Sequence, residues 1–190
     1  MRLPLLFDQL GQIPSVIVVE SEERGELSGE EALETIATEI SNACNRSSKV
    51  WLFGNGGSAA IAGHIANDIV GNELAFASSL SDIATFSAIA NDHGYSEAYH
   101  RQLKLCLHSN DLVIAISSSG MSENITLAAR FAKENARLLT LSGMHPGNNL
   151  RELGHTNVYI PFDAYGAIEI GHLAILHESV ARVLAARSGN

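Results

Sequence analysis

The sequence predicts a doubly wound, three-layer α/β domain, a mostly parallel sheet covered by helices on both faces. Short apolar runs of strand length recur along the chain, a turn of Gly and Ser follows them, and the turn opens onto apolar residues at helical period. "KVWLFG" leads through "NGGS" into "AAIAGHIANDIV", and "DLVIAIS" leads through "SSGMS" into "ENITLAARFAKENA". Strands that read as near-continuous apolar runs are buried on both faces, and their alternation with helices implies a parallel sheet. Its crossovers should be right-handed.

The remaining elements follow in order. Residues 1–28 are expected to lie outside the main fold as an N-terminal segment, since "VESEERGELSG" is charged and turn-like, with Glu22, Glu23, Arg24 and Glu26 as a solvated run. Residues 29–190 should form the single domain. Ser28 and Glu31 have the spacing of a capping box ahead of the amphipathic helix "EEALETIATEISNACN", which should end near residues 45–48. "FASSLS" fits an edge strand before the helix "DIATFSAIAND". "ARLLTLSG" and "NVYIPF" are two further strands, and "AYGAIEIGHLAILHESVARVLAARS" is a long terminal helix.

Composition narrows the function. A chain of 190 residues, 46% apolar and 17% charged, can bury a core as one domain. A net charge of −9 argues against binding nucleic-acid backbone directly. It permits a small anion held by backbone N–H groups and hydroxyls. Cys44 and Cys106 lack CxxC spacing and read as reduced, buried thiols of a cytoplasmic protein. The first residues lack the pattern of a secretory signal, and no apolar run reaches the ~18 residues of a membrane span.

In doubly wound sheets, ligands bind beyond the carboxyl ends of the strands, where both serine turns fall. In "GNGGS", Asn55, Gly56, Gly57 and Ser58 let a ligand approach the unpaired N–H groups of a helix start. In "SSSGMS", Ser117, Ser118, Ser119 and Ser122 can ring a phosphate without Lys or Arg. Neither turn has the GK[ST] of a Walker A loop or the spacing of a dinucleotide fingerprint.

A second set of residues carries acid–base and metal chemistry. His64 and Asp68, four apart, project from one face of the helix after the first turn. Glu169 and His177, eight apart, lie near one stripe of the terminal helix. Two helices that each offer a His and a carboxylate make a zinc site with nitrogen and oxygen ligands. By spacing alone His172 is an alternative to His177, although the two are about 140° apart around the helix.

"GNGGS" six residues ahead of a helical His, with "AIANDHGY", "AISSSGMSENI" and "LTLSG", resembles the sugar isomerase (SIS) domain, and within it the phosphoheptose isomerase group. The resemblance covers roughly residues 30–186. It implies a flavodoxin-like fold, a homotetramer with active sites between subunits, and ketose–aldose interconversion of a phosphorylated sugar. By the same resemblance Ser58, Ser117, Ser118, Ser119 and Ser122 hold the phosphate, and Asn55 and Asp92 contact the sugar. The family's metal positions fall on His64, Asp68, Glu169 and His177. Asp68 stands where the family's proton-transferring Glu is usual, and Glu169 where Gln is usual, so either carboxylate is a candidate base. The connection "NELAFASSLSD" is shorter than usual and lacks basic residues, and Gly166 replaces an acidic residue, with Asp163 offset nearby. The family also holds a noncatalytic, tetrameric member that binds the replication initiator, and isomerases of other phosphosugars, which are the alternatives to a heptose enzyme.

Overall fold

The computed structural model describes residues 6–44 and 47–189. The chain forms α1 (Leu6–Val16), β1 (Val18–Ser21), β2 (Gly25–Leu27), α2 (Gly29–Ala43), β3 (Lys49–Gly54), α3 (Gly57–Gly71), β4 (Phe76–Ser78) and α4 (Ile83–His93). After a 3-10 turn (Tyr95–Glu97) come α5 (His100–Cys106), β5 (Leu112–Ser117), α6 (Glu123–Asn135), β6 (Arg137–Gly143), β7 (Thr156–Ile160) and α7 (Tyr165–Ser188).

The seven strands make one sheet in the order β2-β1-β7-β6-β5-β3-β4. Five of them, β4-β3-β5-β6-β7, are mutually parallel. The chain leaves β3 toward the β4 edge, then returns to place β5 on the other side of β3. The switch point of this doubly wound order therefore lies between β3 and β5. Both serine turns leave the carboxyl ends of those two strands, where the last pair in register is Gly54 with Ile116.

Strand side chains alternate between two cores, as a period of two requires. Val50, Leu52, Leu112, Ile114 and Ile116 face the layer of α1, α2, α3 and α7. Trp51, Phe53, Val113, Ala115 and Leu138 face α5 and α6, with Tyr99 stacked on Phe53 at 5.1 Å between ring centroids. β5 is buried along its whole length and β3 and β6 at all but their first residue, so these strands show the near-continuous apolar runs that identified them.

The N-terminal segment departs from expectation. Residues 18–27 form a hairpin that joins the sheet, with β1 antiparallel to β7 from Val18↔Tyr159 to Ser21↔Thr156. Val19 is fully buried in the main core. The charge run around Glu22 is also tied to the domain, because Lys133 pairs with Glu22 and Arg137 reaches Glu23 at 2.9 Å. These partners lie over a hundred residues away, which is why the run looks solvated locally. The capping box differs in detail. Ser28 Oγ donates to the Glu31 carboxylate at 3.1 Å rather than accepting a backbone N–H. α2 ends at Ala43; residues 45 and 46, part of its expected end, lie outside the described residues.

Candidate active site

At the first turn, β3 ends at Gly54, and Gly56 adopts a φ of 55° that a side chain would strain before α3 begins. The expected row of unpaired N–H groups is not there, because Ser58 N donates to the Asn55 carbonyl at 3.0 Å and Ala59 N and Ala60 N donate to the Gly56 carbonyl at 3.1 and 3.2 Å. Tyr99 supports the turn from below by donating its buried hydroxyl to the Gly54 carbonyl, and burial pushes its pKa up to about 12. At the second turn, Gly120 has a φ of 63°, and its Cα faces Asn148 so closely that no Cβ would fit. Ser117 Oγ accepts from Gly120 N at 3.2 Å, and Ser119 Oγ accepts from Met121 N at 3.3 Å.

The two turns close around a cavity of about 260 Å³. Asn55, Gly56, Gly57 and Ser58 line one side, and Ser117, Ser118, Ser119 and Ser122 the other, with Tyr165 and Glu169 at its rim. Ser58, Ser117 and Ser118 are buried, and Ser118 Oγ has no hydrogen-bond partner. A buried hydroxyl without a partner costs free energy unless something else completes it. No Lys or Arg lines the cavity. Serine hydroxyls, the Asn55 side-chain amide and the positive end of the α3 dipole are what the cavity offers an anion.

α3 and α7 run side by side in the same direction from this cradle. At their start, the Glu169 carboxylate lies against Gly57, about 2.5 Å from where a Cβ would stand, so a side chain there would displace it. Two turns further along, α3 presents His64 and Asp68 to His177 of α7. Asp68 Oδ2 lies 3.0 Å from His177 Nδ1 and 3.7 Å from His64 Nε2. The two imidazoles meet edge to face, 4.7 Å between centroids. One donor atom from each of these three residues lies within 4.8 Å of the other two, a compact nitrogen–oxygen set. His64 follows Ser58 by six residues, about 9 Å along the helix axis. Cradle and His–Asp cluster thus share the same two helices, the cradle at their start and the cluster about two turns further along.

The domain model described as "SIS domain" matches residues 18–137. The chain belongs to the SIS-domain family. The match begins at the hairpin strand β1, so the hairpin falls inside the family domain. Among relatives, a phosphoheptose isomerase of Pelobacter propionicus is 32% identical over 149 residues, covering 75% of this chain and 78% of the relative. One of Campylobacter jejuni is 37% identical over 136 residues, covering 68% and 73%. Solved structures agree. A phosphoheptose isomerase from Neisseria gonorrhoeae superposes with a TM-score of 0.72 at 27% identity, covering 82% of this chain and 89% of that one. One from Francisella tularensis gives 0.74 at 27% identity, covering 80% and 84%.

Within this SIS domain the expected site residues divide. The serines, Asn55, Gly56 and Gly57 meet in the cradle. His64, Asp68 and His177 meet in the cluster. Glu169 does not join that cluster; its side chain turns toward the space left by Gly57. Asp92 stands apart on exposed α4, accepting from its neighbour Asn91 at 2.9 Å, and lines neither the cradle nor the cavity beside it. His172 is fully buried and bonded to the Ser142 carbonyl at 3.0 Å, with its pKa pushed down to about 4 by burial. The geometry therefore selects His177 over His172. Two polar residues at the site were not singled out from the sequence, Tyr95 and Asn124. Both hydrogen-bond Asn55, and each lies within a quoted stretch, "AIANDHGY" and "AISSSGMSENI".

Proposed function

We propose that the protein is a ketose–aldose isomerase of a sugar phosphate, interconverting sedoheptulose 7-phosphate and a heptose 7-phosphate. One observation carries the reading: α3 and α7 together bear the phosphate-type cradle at their start and, two turns further along, the His177–Asp68 pair at 3.0 Å. An open sugar chain with its phosphate on the cradle extends along the two helices toward that pair. The relatives named phosphoheptose isomerase support the choice of substrate.

Asp68 removes a proton from the hydroxyl-bearing carbon beside the carbonyl, while His177 protonates the carbonyl oxygen, giving an enediol. Asp68 then returns its proton to the neighbouring carbon, and His177 recovers one from the other oxygen. After the second transfers both side chains hold the protons they began with, so the pair is reset. The serine hydroxyls hold the phosphate fixed at the positive end of the α3 dipole, so that the reacting carbons stay at the pair. Glu169, at the cradle end, contacts sugar hydroxyls. His64, Asp68 and His177 fit a zinc ion by donor type and mutual distance. When bound there, zinc supplies Lewis-acid polarisation of a sugar oxygen.

We assign the active form to a homo-oligomer, a tetramer by family resemblance. α4 has no buried residue, and Ile83 on it is 77% exposed, an apolar face suited to a second copy. On this reading Asp92 of α4 serves a site in a neighbouring copy. Cys44 and Cys106 are free, in keeping with a cytoplasmic enzyme. Among the described residues no helix is long and apolar enough to cross a membrane.

The test is proton NMR of five- to seven-carbon ketose phosphates in heavy water with zinc-loaded protein. The expected result is deuterium at the carbon beside the carbonyl and new aldose signals with the seven-carbon substrate. His177→Ala should lower turnover by about a thousandfold while retaining phosphate binding. Binding without exchange for any sugar would instead indicate a regulatory module, and turnover of a shorter sugar alone would reassign the substrate.

A further inference from the structure

We propose that Asn124 is a positioning residue for the phosphate cradle, acting through Asn55 and clamping the two serine turns to each other. The inference rests on the reading of the cradle as a phosphate site. Asn55 belongs to the first turn and Asn124 opens α6 after the second, 69 residues later. Their side-chain amides form a reciprocal pair: Asn55 Nδ2 donates to Asn124 Oδ1 at 2.9 Å, and Asn124 Nδ2 donates back to Asn55 Oδ1 at 2.8 Å. The Tyr95 hydroxyl donates to the same Asn55 oxygen at 3.1 Å.

Two consequences follow from the donor and acceptor count of an amide. Both lone pairs of Asn55 Oδ1 are taken, and one Nδ2–H remains free, so Asn55 presents a donor and no acceptor to a ligand. A phosphoryl, carbonyl or hydroxyl oxygen satisfies it. Asn124 is 1% exposed, so its contribution is made through the pair rather than by broad contact with the ligand. The clamp matters because this cradle has no cation to draw its two halves onto the phosphate. The serines of the two turns must stand at the correct separation before the ligand arrives, and a preorganised site avoids the cost of ordering them on binding. Asn55 and Ser122 also line the adjoining cavity of about 400 Å³ that holds Tyr95 and Asn124, so the clamp forms the shared wall of both spaces.

The test is a double-mutant cycle on Asn55→Ala and Asn124→Ala. Binding of inorganic phosphate and of sedoheptulose 7-phosphate is read by phosphorus NMR titration, with thermal midpoints and steady-state kinetics measured alongside. Asn124→Ala should weaken phosphate binding about tenfold, as expected for losing two hydrogen bonds. It should raise KM more than it lowers kcat. Because Asn124 acts through Asn55, the double variant should bind no more weakly than Asn55→Ala alone. A purely structural role would lower the thermal midpoint but leave the affinity of the folded protein unchanged. Tyr95→Phe, at an exposed position, should weaken phosphate about threefold at an unchanged midpoint. Wild-type affinity in folded Asn124→Ala, or additive losses in the cycle, would overturn the clamp and leave the cradle reading intact. Should Asn124→Ala fail to fold, wild-type affinity in Tyr95→Phe overturns it. Wild-type protein that binds neither phosphate compound would overturn the cradle reading itself, and the clamp with it.

Discussion

The two ends of the sheet treat polar groups in opposite ways. Where β5 and β6 begin, charges are consumed internally. Arg137 forks onto Glu39 Oε1, with Nη2 at 2.7 Å and Nε at 3.2 Å, and Thr156 Oγ1 donates to the same oxygen at 2.5 Å. Asp111 accepts from Lys49 N and Trp51 Nε1, both at 2.9 Å, and from His108 N at 3.0 Å. At that end Glu39 Oε2 alone is left over among the described residues. Where β3 and β5 end, serine side chains line a cavity, and Ser118 Oγ has no partner. The first arrangement spends its polar groups on holding the hairpin, α2 and the sheet together. The second keeps them for a ligand, and does so without buried cations, so it needs no internal counter-charge.

Perturbing each end separately can break this division. The largest effect is expected from Arg137→Ala, which strips the buried Glu39 of its cation. Stability in urea should fall by about 3 kcal/mol, as for other buried pairs that lose one partner. Phosphate affinity should be unchanged, and a parallel loss of affinity would show that the two ends are coupled. Acid titration comes next. His172, buried beneath the cradle end, has a folded-state pKa of about 4 against 6.5 unfolded, so between those values the unfolded chain binds more protons. Stability contributed by neutral His172 is therefore complete above pH 6.5 and is lost as pH falls toward 4. His172→Gln, which keeps a donor for Ser142, should flatten that part of the thermal-midpoint profile; an unaltered profile would assign the acid sensitivity to other groups.

Smaller effects sharpen the cradle itself. Ser118→Ala should weaken phosphate binding about tenfold at constant or slightly higher stability, because it removes a buried hydroxyl without a partner. A loss of stability with unchanged affinity would show that the hydroxyl serves the fold. The smallest change is expected of Glu169→Gln. Removing one negative charge beside the cradle should tighten inorganic phosphate about threefold in low salt, with the gain fading as salt rises. Weaker binding in this variant would mean that the carboxylate acts as an acceptor for a protonated phosphate.

The sheet and both turns were legible because their signals are local. A buried parallel strand, its Gly/Ser turn and the following helix are written within about twenty-five residues, as in the stretch from Lys49 to Gly71. The short edge strand Phe76–Ser78 was legible for the same reason. The hairpin was hidden because its partners are β7, Lys133 and Arg137, far along the chain. α5 was missed because it is a single short helix of seven residues between two stronger signals. His64 and Asp68 were legible as an i, i+4 pair. Whether His172 or His177 would meet them, and where Glu169 would turn, depended on how α7 lies against α3.

By itself the sequence determined the doubly wound architecture, the position of the two serine turns at its switch point and the absence of a basic site. Each of these follows from residue types at short spacing, which fix backbone conformation and burial locally. Only the tertiary structure decided that β1 extends the sheet, that Asn55 and Asn124 join the two turns, and that Glu169 stands at the cradle while His177 stands at Asp68. Those contacts are made between segments brought together by packing, and the rotation and axial position of one helix against another are set by the whole interface.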